Sequence, residues 1–249
     1  MSHDAPTNGL DGRLIERCEE IPAEPPAGDY VVVDVLHFSN TVIELFANGA
    51  EYVHITDERG EEPAFKAERP EARIGGATTP AYEPEPGYDF FNSPSFVQDL
   101  DVERRPVSMT SSNGGRTVAR LREVVGPASE VYVGSTMNAG AVADHLRGND
   151  RPTYLVSAGS RGEVAIEDHV GATLISRALD GFPLATAERE VFRRQVKVAK
   201  GPGYAQKNEL RRRDVCEYAL AFDSRAVVPR LAGDSLVDAA RPGAERAAD

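Results

Sequence analysis

The sequence predicts an α/β protein: a layered sheet, largely parallel, with helices on both faces, built as one unit or as two α/β lobes. Two observations carry that prediction. Short β-branched runs such as Tyr30-Val31-Val32-Val33 alternate with segments of helical apolar spacing such as Thr41–Ala47. A unit of strand, polar loop and helix also recurs along the chain, the pattern of parallel strands joined by helical crossovers.

Residues 1–29 read as an N-terminal extension whose Pro- and Glu-rich end, Glu19–Asp29, is a connector. A strand is predicted over 30–34 and a helix over 41–47, stopped by Asn48-Gly49, with a second strand over 51–55. Residues 57–96 are rich in proline and glycine and read as loops, the kind of long insertion that is usually functional. Alternation resumes with strands over 106–110, 130–133 and 153–156. The helices expected between and after them cover 117–123, 139–146, 166–179, 185–191 and 208–216. A last short strand is expected near 225–228, and 232–249 reads as a flexible tail.

Composition narrows the function classes. Hydrophobic residues make up 41% of the chain, and no apolar run approaches the roughly 20 residues that span a bilayer. Met1–Asp11 lacks the charged-then-apolar pattern of a signal peptide, so a soluble, cytoplasmic protein without a membrane partner is expected. A net charge of −12 argues against nucleic acid, whose phosphates it would repel. Only four of the 28 basic residues are lysines, Lys66, Lys197, Lys200 and Lys207. An acid-rich, lysine-poor surface of this kind fits a halophilic setting, where salt screens the self-repulsion. Cys18 and Cys216 lie far apart with no metal-binding spacing, and read as plain thiols. A homo-oligomer is left open.

The chemistry is expected in four strand-to-helix loops: Asp34–Asn40, Thr110–Gly115, Gly134–Gly140 and Ser157–Gly162. Singly, each reads as helix capping. Together, along one sheet edge, they present helix N-termini that favour an anion, with Gly114, Gly115 and Gly159 permitting close approach and Arg116 and Arg161 adding charge. No Gly-x4-Gly-Lys-Ser/Thr or complete Gly-x-Gly-x-x-Gly motif is present, so a nucleotide site is a weak alternative. Asp34 closes the most apolar strand and Glu167-Asp168 open a helix, an oxygen donor set suited to Mg²⁺.

In this order, several segments resemble the 2-phosphosulfolactate phosphatase family: Asp34-Val35-Leu36, Ala47–Ala50, Gly87–Pro94, Thr110–Arg116, Gly134–Ala143, Ala158-Gly159 with Glu167-Asp168, and Asp214–Pro229. The resemblance spans about residues 30–231. It departs at His37, where the family usually has an arginine, at Ile74–Thr79 in place of a Gly-Glu-Arg segment, and at Ser157 in place of a cysteine. The resemblance implies a Mg²⁺-dependent phosphatase acting on a small phosphorylated acid, as in coenzyme M biosynthesis. The metal ligands would be Asp34, Glu167 and Asp168, with Asp34, Asn113 and Glu167 catalytic. Asn92, Ser93, Ser112, Gly114, Arg116, Asn138, Gly159 and Arg161 would bind substrate. The alternative is a non-catalytic phospho-metabolite binding protein of the same fold.

Overall fold

Tyr30-Val31-Val32-Val33 is completely buried on both faces, as a central parallel strand requires. In the computed structural model, which describes residues 12–241, the strand Asp29–Val33 (β2) indeed lies inside the sheet. It follows a two-residue strand, Leu14–Ile15 (β1), and leads into α1 (Phe38–Ala47), β3 (Tyr52–Ile55) and α2 (Glu62–Glu68). Next come β4 (Arg73–Gly76), β5 (Phe90–Phe91), α3 (Pro94–Val97), β6 (Pro106–Met109) and α4 (Gly114–Val124). The chain continues through β7 (Glu130–Gly134), α5 (Ala139–Leu146), β8 (Thr153–Ser157), α6 (Ile166–Leu179) and α7 (Thr186–Val198). After α8 (Glu209–Arg213) and a π-helical turn, Asp214–Ala219, the hairpin β9 (Pro229–Ala232) and β10 (Ser235–Asp238) ends the described chain.

The ten strands form one mixed, mostly parallel sheet in the order β1-β8-β2-β7-β9-β10-β3-β6-β4-β5. Two parallel blocks flank the antiparallel β9–β10 hairpin. Because β7–β9, β9–β10 and β10–β3 are all antiparallel, the second block runs opposite to the first.

Side chains of β2 alternate between two cores, as the two-residue period of a strand dictates. Val31 and Val33, with Tyr132 and Leu155, pack under Val142, Leu146, Val170, Leu174, Ile175 and Val196 of α5, α6 and α7. Tyr30 and Val32 face a second core that holds Val42, Leu45 and Phe46 of α1 and Val118 and Leu121 of α4. That same core contains Val53, Ile55, Val107 and Met109 of the opposite block. Helices α1 and α4 therefore pack against both blocks, and they draw the end of β6 toward the end of β2.

Several expectations need correction. Residues 57–96 are not only loops: α2, β4, β5 and the start of α3 lie there. Glycine hid β4, because a Cβ on Gly76 would stand 2.1 Å from the Thr110 carbonyl and φ is +107° there, so the strand cannot carry the side chains that advertise one. The supposed extension contributes β1, which pairs with β8 through Leu14 and Ile15. The expected tail contains β10, fully buried near the middle of the sheet. The strand expected near 225–228 begins instead at Pro229, as β9, because the Asp238 carboxylate captures the Val228 N–H at 3.0 Å. Residues 1–11 and 242–249 lie outside the described chain.

Candidate functional site

Asp34 follows β2 directly and is 4% exposed. Its Oδ2 accepts the backbone N–H of Gly114, the first residue of α4, at 2.8 Å. Glycine is required there, since a Cβ would lie 2.2 Å from the Phe38 ring. At the start of α6, Asp168 is equally buried. Its two oxygens accept the N–H of Val35 at 2.9 Å and of Gly159 at 3.2 Å. Asp168 thereby ties the loops after β2 and β8 together. Beside it the buried Glu167 places Oε1 2.5 Å from Lys200 Nζ, in the segment between α7 and α8. That pair is held by charge, since Oε1 has no aligned hydrogen bond.

Three carboxylates thus share a nearly dry site with one ammonium. Burial pushes Asp34 up to about 6, with Glu167 adding to the rise and the Gly114 N–H and Lys200 opposing it. Burial, then the neighbouring Asp34 and Glu167, hold Asp168 well above the usual carboxylate range. For Lys200, burial works against the charge, but Glu167, Asp168 and Asp34 outweigh it and the ammonium is strengthened.

A second layer lies behind this one. His37 Nε2 is 2.7 Å from the Tyr204 hydroxyl, and Nδ1 is 3.7 Å from Asp214 Oδ2. Asp214 is fully buried and accepts from Ser93 Oγ, the Ser95 N–H and Tyr82 Oη. The Arg211 guanidinium stacks on the rings of Tyr82 and Tyr204.

The four loops are not capped by their own polar side chains: no side-chain cap bond is made at His37, Asn113, Asn138 or Ala165, which precede α1, α4, α5 and α6. Nor do the loops share one simple edge. Those after β2, β7 and β8 are neighbours, whereas the loop after β6 comes from the reversed block and arrives through α4. The predicted residues divide accordingly. Asp34, Gly114, Gly159, Glu167 and Asp168 come together. Asn113 sits at the start of α4 beside the exposed Ser112. Asn138 is buried, its amide bonded to the Val133 and Val227 carbonyls and its oxygen to the Ser135 N–H. Ser93 holds Asp214, and Asn92 keeps a buried, unpartnered Oδ1. Arg116 points to the surface and pairs with Glu19, and Arg161 is exposed.

Sequence reasoning passed over Lys200, Tyr204 and Arg211 as site residues. The rarity of lysine in this chain was the available signal for Lys200. A cavity of about 500 Å³ lies nearby, between Lys197, Pro202, Asn208, Arg212 and Cys216, but no carboxylate of the cluster lines it.

Carboxylate oxygens are hard donors of the kind a divalent cation takes. Among the described residues no three or more His, Cys, Asp or Glu side chains are grouped so that together they could hold a metal ion, so Asp34, Glu167 and Asp168 do not form the three-carboxylate ligand set expected from the sequence. Asp168 has both oxygens engaged by backbone N–H groups, which leaves Asp34 and Glu167 as the residues able to turn an oxygen to an ion. One or two carboxylates, completed by water and phosphate, is the usual Mg²⁺ arrangement.

A protein-family model described as 2-phosphosulpholactate phosphatase matches residues 15–213. Among curated proteins, a probable 2-phosphosulfolactate phosphatase of Symbiobacterium thermophilum is 33% identical over 185 residues, covering 70% of this chain and 76% of its own. Proteins with the same description from Clostridium beijerinckii and Gloeobacter violaceus are each 30% identical, covering 60% and 61% of this chain. The alignments span 62% and 63% of those two relatives, somewhat under two thirds of their length.

Proposed function

Because the chain belongs to the 2-phosphosulfolactate phosphatase family, we propose that it hydrolyses the phosphate monoester of a small phosphorylated acid, of which 2-phosphosulfolactate is the type. The observation that carries this reading is the convergence of buried Asp34, Glu167 and Asp168 on a single lysine, Lys200. Such a site offers hard oxygen donors with little positive charge of its own, which would suit Mg²⁺.

Asp34 and Glu167 would hold the ion, with Asp168 fixing the loops behind them. Bound there, Mg²⁺ would neutralise charge on the phosphoryl oxygens. Lys200 would leave Glu167 and take up a phosphoryl oxygen, an exchange of one anion for another. Ser112 and Asn113, next to the N-terminus of α4, would orient the remaining oxygens, and Arg161 stands exposed for an acidic group of the substrate. Burial of the carboxylates excludes bulk water and strengthens each of these interactions.

A phosphate-release screen over small phosphorylated acids, with and without Mg²⁺ at molar salt, tests the reading. Activity should require the metal and be lost in Asp34→Ala; undiminished release by that variant overturns the assignment.

A further inference from the structure

We propose that Arg211 receives a second acidic group of the substrate, a carboxylate or sulfonate carried on the same small molecule as the phosphate. The proposal rests on the phosphatase reading above and adds to it a residue that tells an acidic ester from a neutral one.

Three arginines follow one another in α8, and the fold treats them differently. Arg212 pairs with Glu209 and Glu217, and Arg213 pairs with Glu217. Arg211 has no carboxylate at ion-pair distance among the described residues, in a chain whose net charge is −12. Its guanidinium lies instead 4.3 Å from the centre of the Tyr82 ring and 4.9 Å from that of Tyr204. Nε is buried without an acceptor, and the terminal nitrogens, equally without a protein acceptor, reach solvent. Asp214 stands one turn along, but its oxygens are taken by Ser93, Ser95 and Tyr82.

Both rings are fixed by contacts other than the arginine. Tyr82 Oη donates to Asp214 at 3.0 Å, and its ring meets Phe91 edge-on at 4.8 Å. Tyr82 also holds φ at +64°, a left-handed backbone that bulky side chains rarely adopt. Such conformations persist where surrounding contacts enforce them, and they gather at ligand sites. The Tyr204 hydroxyl is 2.7 Å from His37 Nε2. A guanidinium laid on two immobile rings keeps its planar fork in one orientation, so little freedom is lost when it takes a bidentate oxyanion.

Contacts lead from this clamp to the carboxylates in two directions. His37, bonded to Tyr204, precedes α1, where Ser39 exchanges two hydrogen bonds with Asp34, at 2.8 and 2.9 Å. On the other side a turn, closed by the Tyr204 N–H on the Gly201 carbonyl at 3.1 Å, joins Tyr204 to Lys200, whose ammonium meets Glu167. Lys207 adds positive charge over the same Tyr204 ring, 5.9 Å from its centre, and it too has no carboxylate partner among the described residues. Three of the four lysines, Lys197, Lys200 and Lys207, thus gather on the stretch that carries Tyr204. A substrate with a second anion is drawn to that local field; a neutral ester gains nothing from it.

The test uses the full chain with Mg²⁺ and three esters: 2-phosphosulfolactate, 2-phospholactate and 2-propyl phosphate, the last with no second acid. Arg211→Gln should cut kcat/KM for 2-phosphosulfolactate relative to 2-propyl phosphate by about tenfold to a hundredfold, the size of a lost charge-assisted pair, through KM rather than kcat. Arg211→Lys, which keeps the charge without the fork, should recover part of the preference. If 2-phospholactate follows 2-phosphosulfolactate, the carboxylate is the group held; if it follows 2-propyl phosphate, the sulfonate is. An equal change on all three esters, or no change, overturns the subsite and leaves the phosphatase reading standing. A wild type that releases no phosphate from any ester overturns the phosphatase reading, and calorimetry with 2-phosphosulfolactate then decides the subsite. Binding lost in Arg211→Gln retains it as a ligand site; binding equal in both proteins, or absent from both, overturns it.

Discussion

Lys200 and Glu167 meet at 2.5 Å although they belong to different elements, one a loop between α7 and α8 and the other the first turn of α6. The pair supplies positive charge to a site otherwise made of carboxylates. Breaking it from one side leaves a carboxylate that is 2% exposed without a counter-charge.

Lys200→Met should therefore destabilise the metal-free protein by about 3 kcal/mol, the low end for a broken buried pair because the lysine retains some solvent contact. Adding Glu167→Gln should recover most of the loss. Urea titrations in EDTA measure both, and additive effects of the two substitutions would count against a direct pair.

Gly114→Ala drives a methyl group toward the Phe38 ring and displaces the N–H that Asp34 accepts. Overpacking of this kind costs about 1–3 kcal/mol. Thermal melts should show that loss, and phosphate release should fall with it, since Asp34 loses its anchor.

Burial holds His37 and His54 below the ordinary histidine pKa. A depressed folded pKa means the unfolded chain binds the proton more tightly, so their contribution is fully present above about 6.5 and is lost as the pH falls below it. Asp34 and Asp168, raised in the fold, act in the opposite sense over the acidic range. His54→Gln, away from the carboxylates, should shrink the drop in Tm between pH 7.5 and pH 5.5. An unchanged drop would mean that His54 is not held neutral.

Added KCl should raise Tm. With a net charge of −12 the chain repels itself at low ionic strength, and screening removes that term while leaving buried pairs largely intact. Melts from 0.05 to 2 M KCl check it, with the steepest rise expected at the low end.

Much of the fold was legible because its strands advertise themselves. Val31, Val32 and Val33 can only be a buried strand, and α6 carries helical spacing over its whole length. β4 and β10 were not legible, for different reasons. β4 uses glycine where the Thr110 backbone presses against it, and β10 is a four-residue strand that reaches the sheet's interior only by pairing with β3, a distant part of the chain. The carboxylates could be picked out, since a strand end and a helix start are positions set by local sequence. Lys200 and Tyr204 could not. Their segment, Lys200-Gly201-Pro202-Gly203-Tyr204, has no fixed spacing from Asp34, and only packing of α7 and α8 brings it to the site. Asn138 shows the converse: its side chain looked free in the sequence, yet the fold uses all of it to bind backbone.

The position of the β9–β10 hairpin has a consequence for synthesis. A chain emerging from the ribosome completes β1 to β8 before residues 229–238 exist to join them. Until then β7 and β3, both central in the finished sheet, are open edges that can pair with another chain. The protein should consequently depend on chaperones until its last strands emerge, and removing that hairpin should yield aggregate rather than a smaller folded protein.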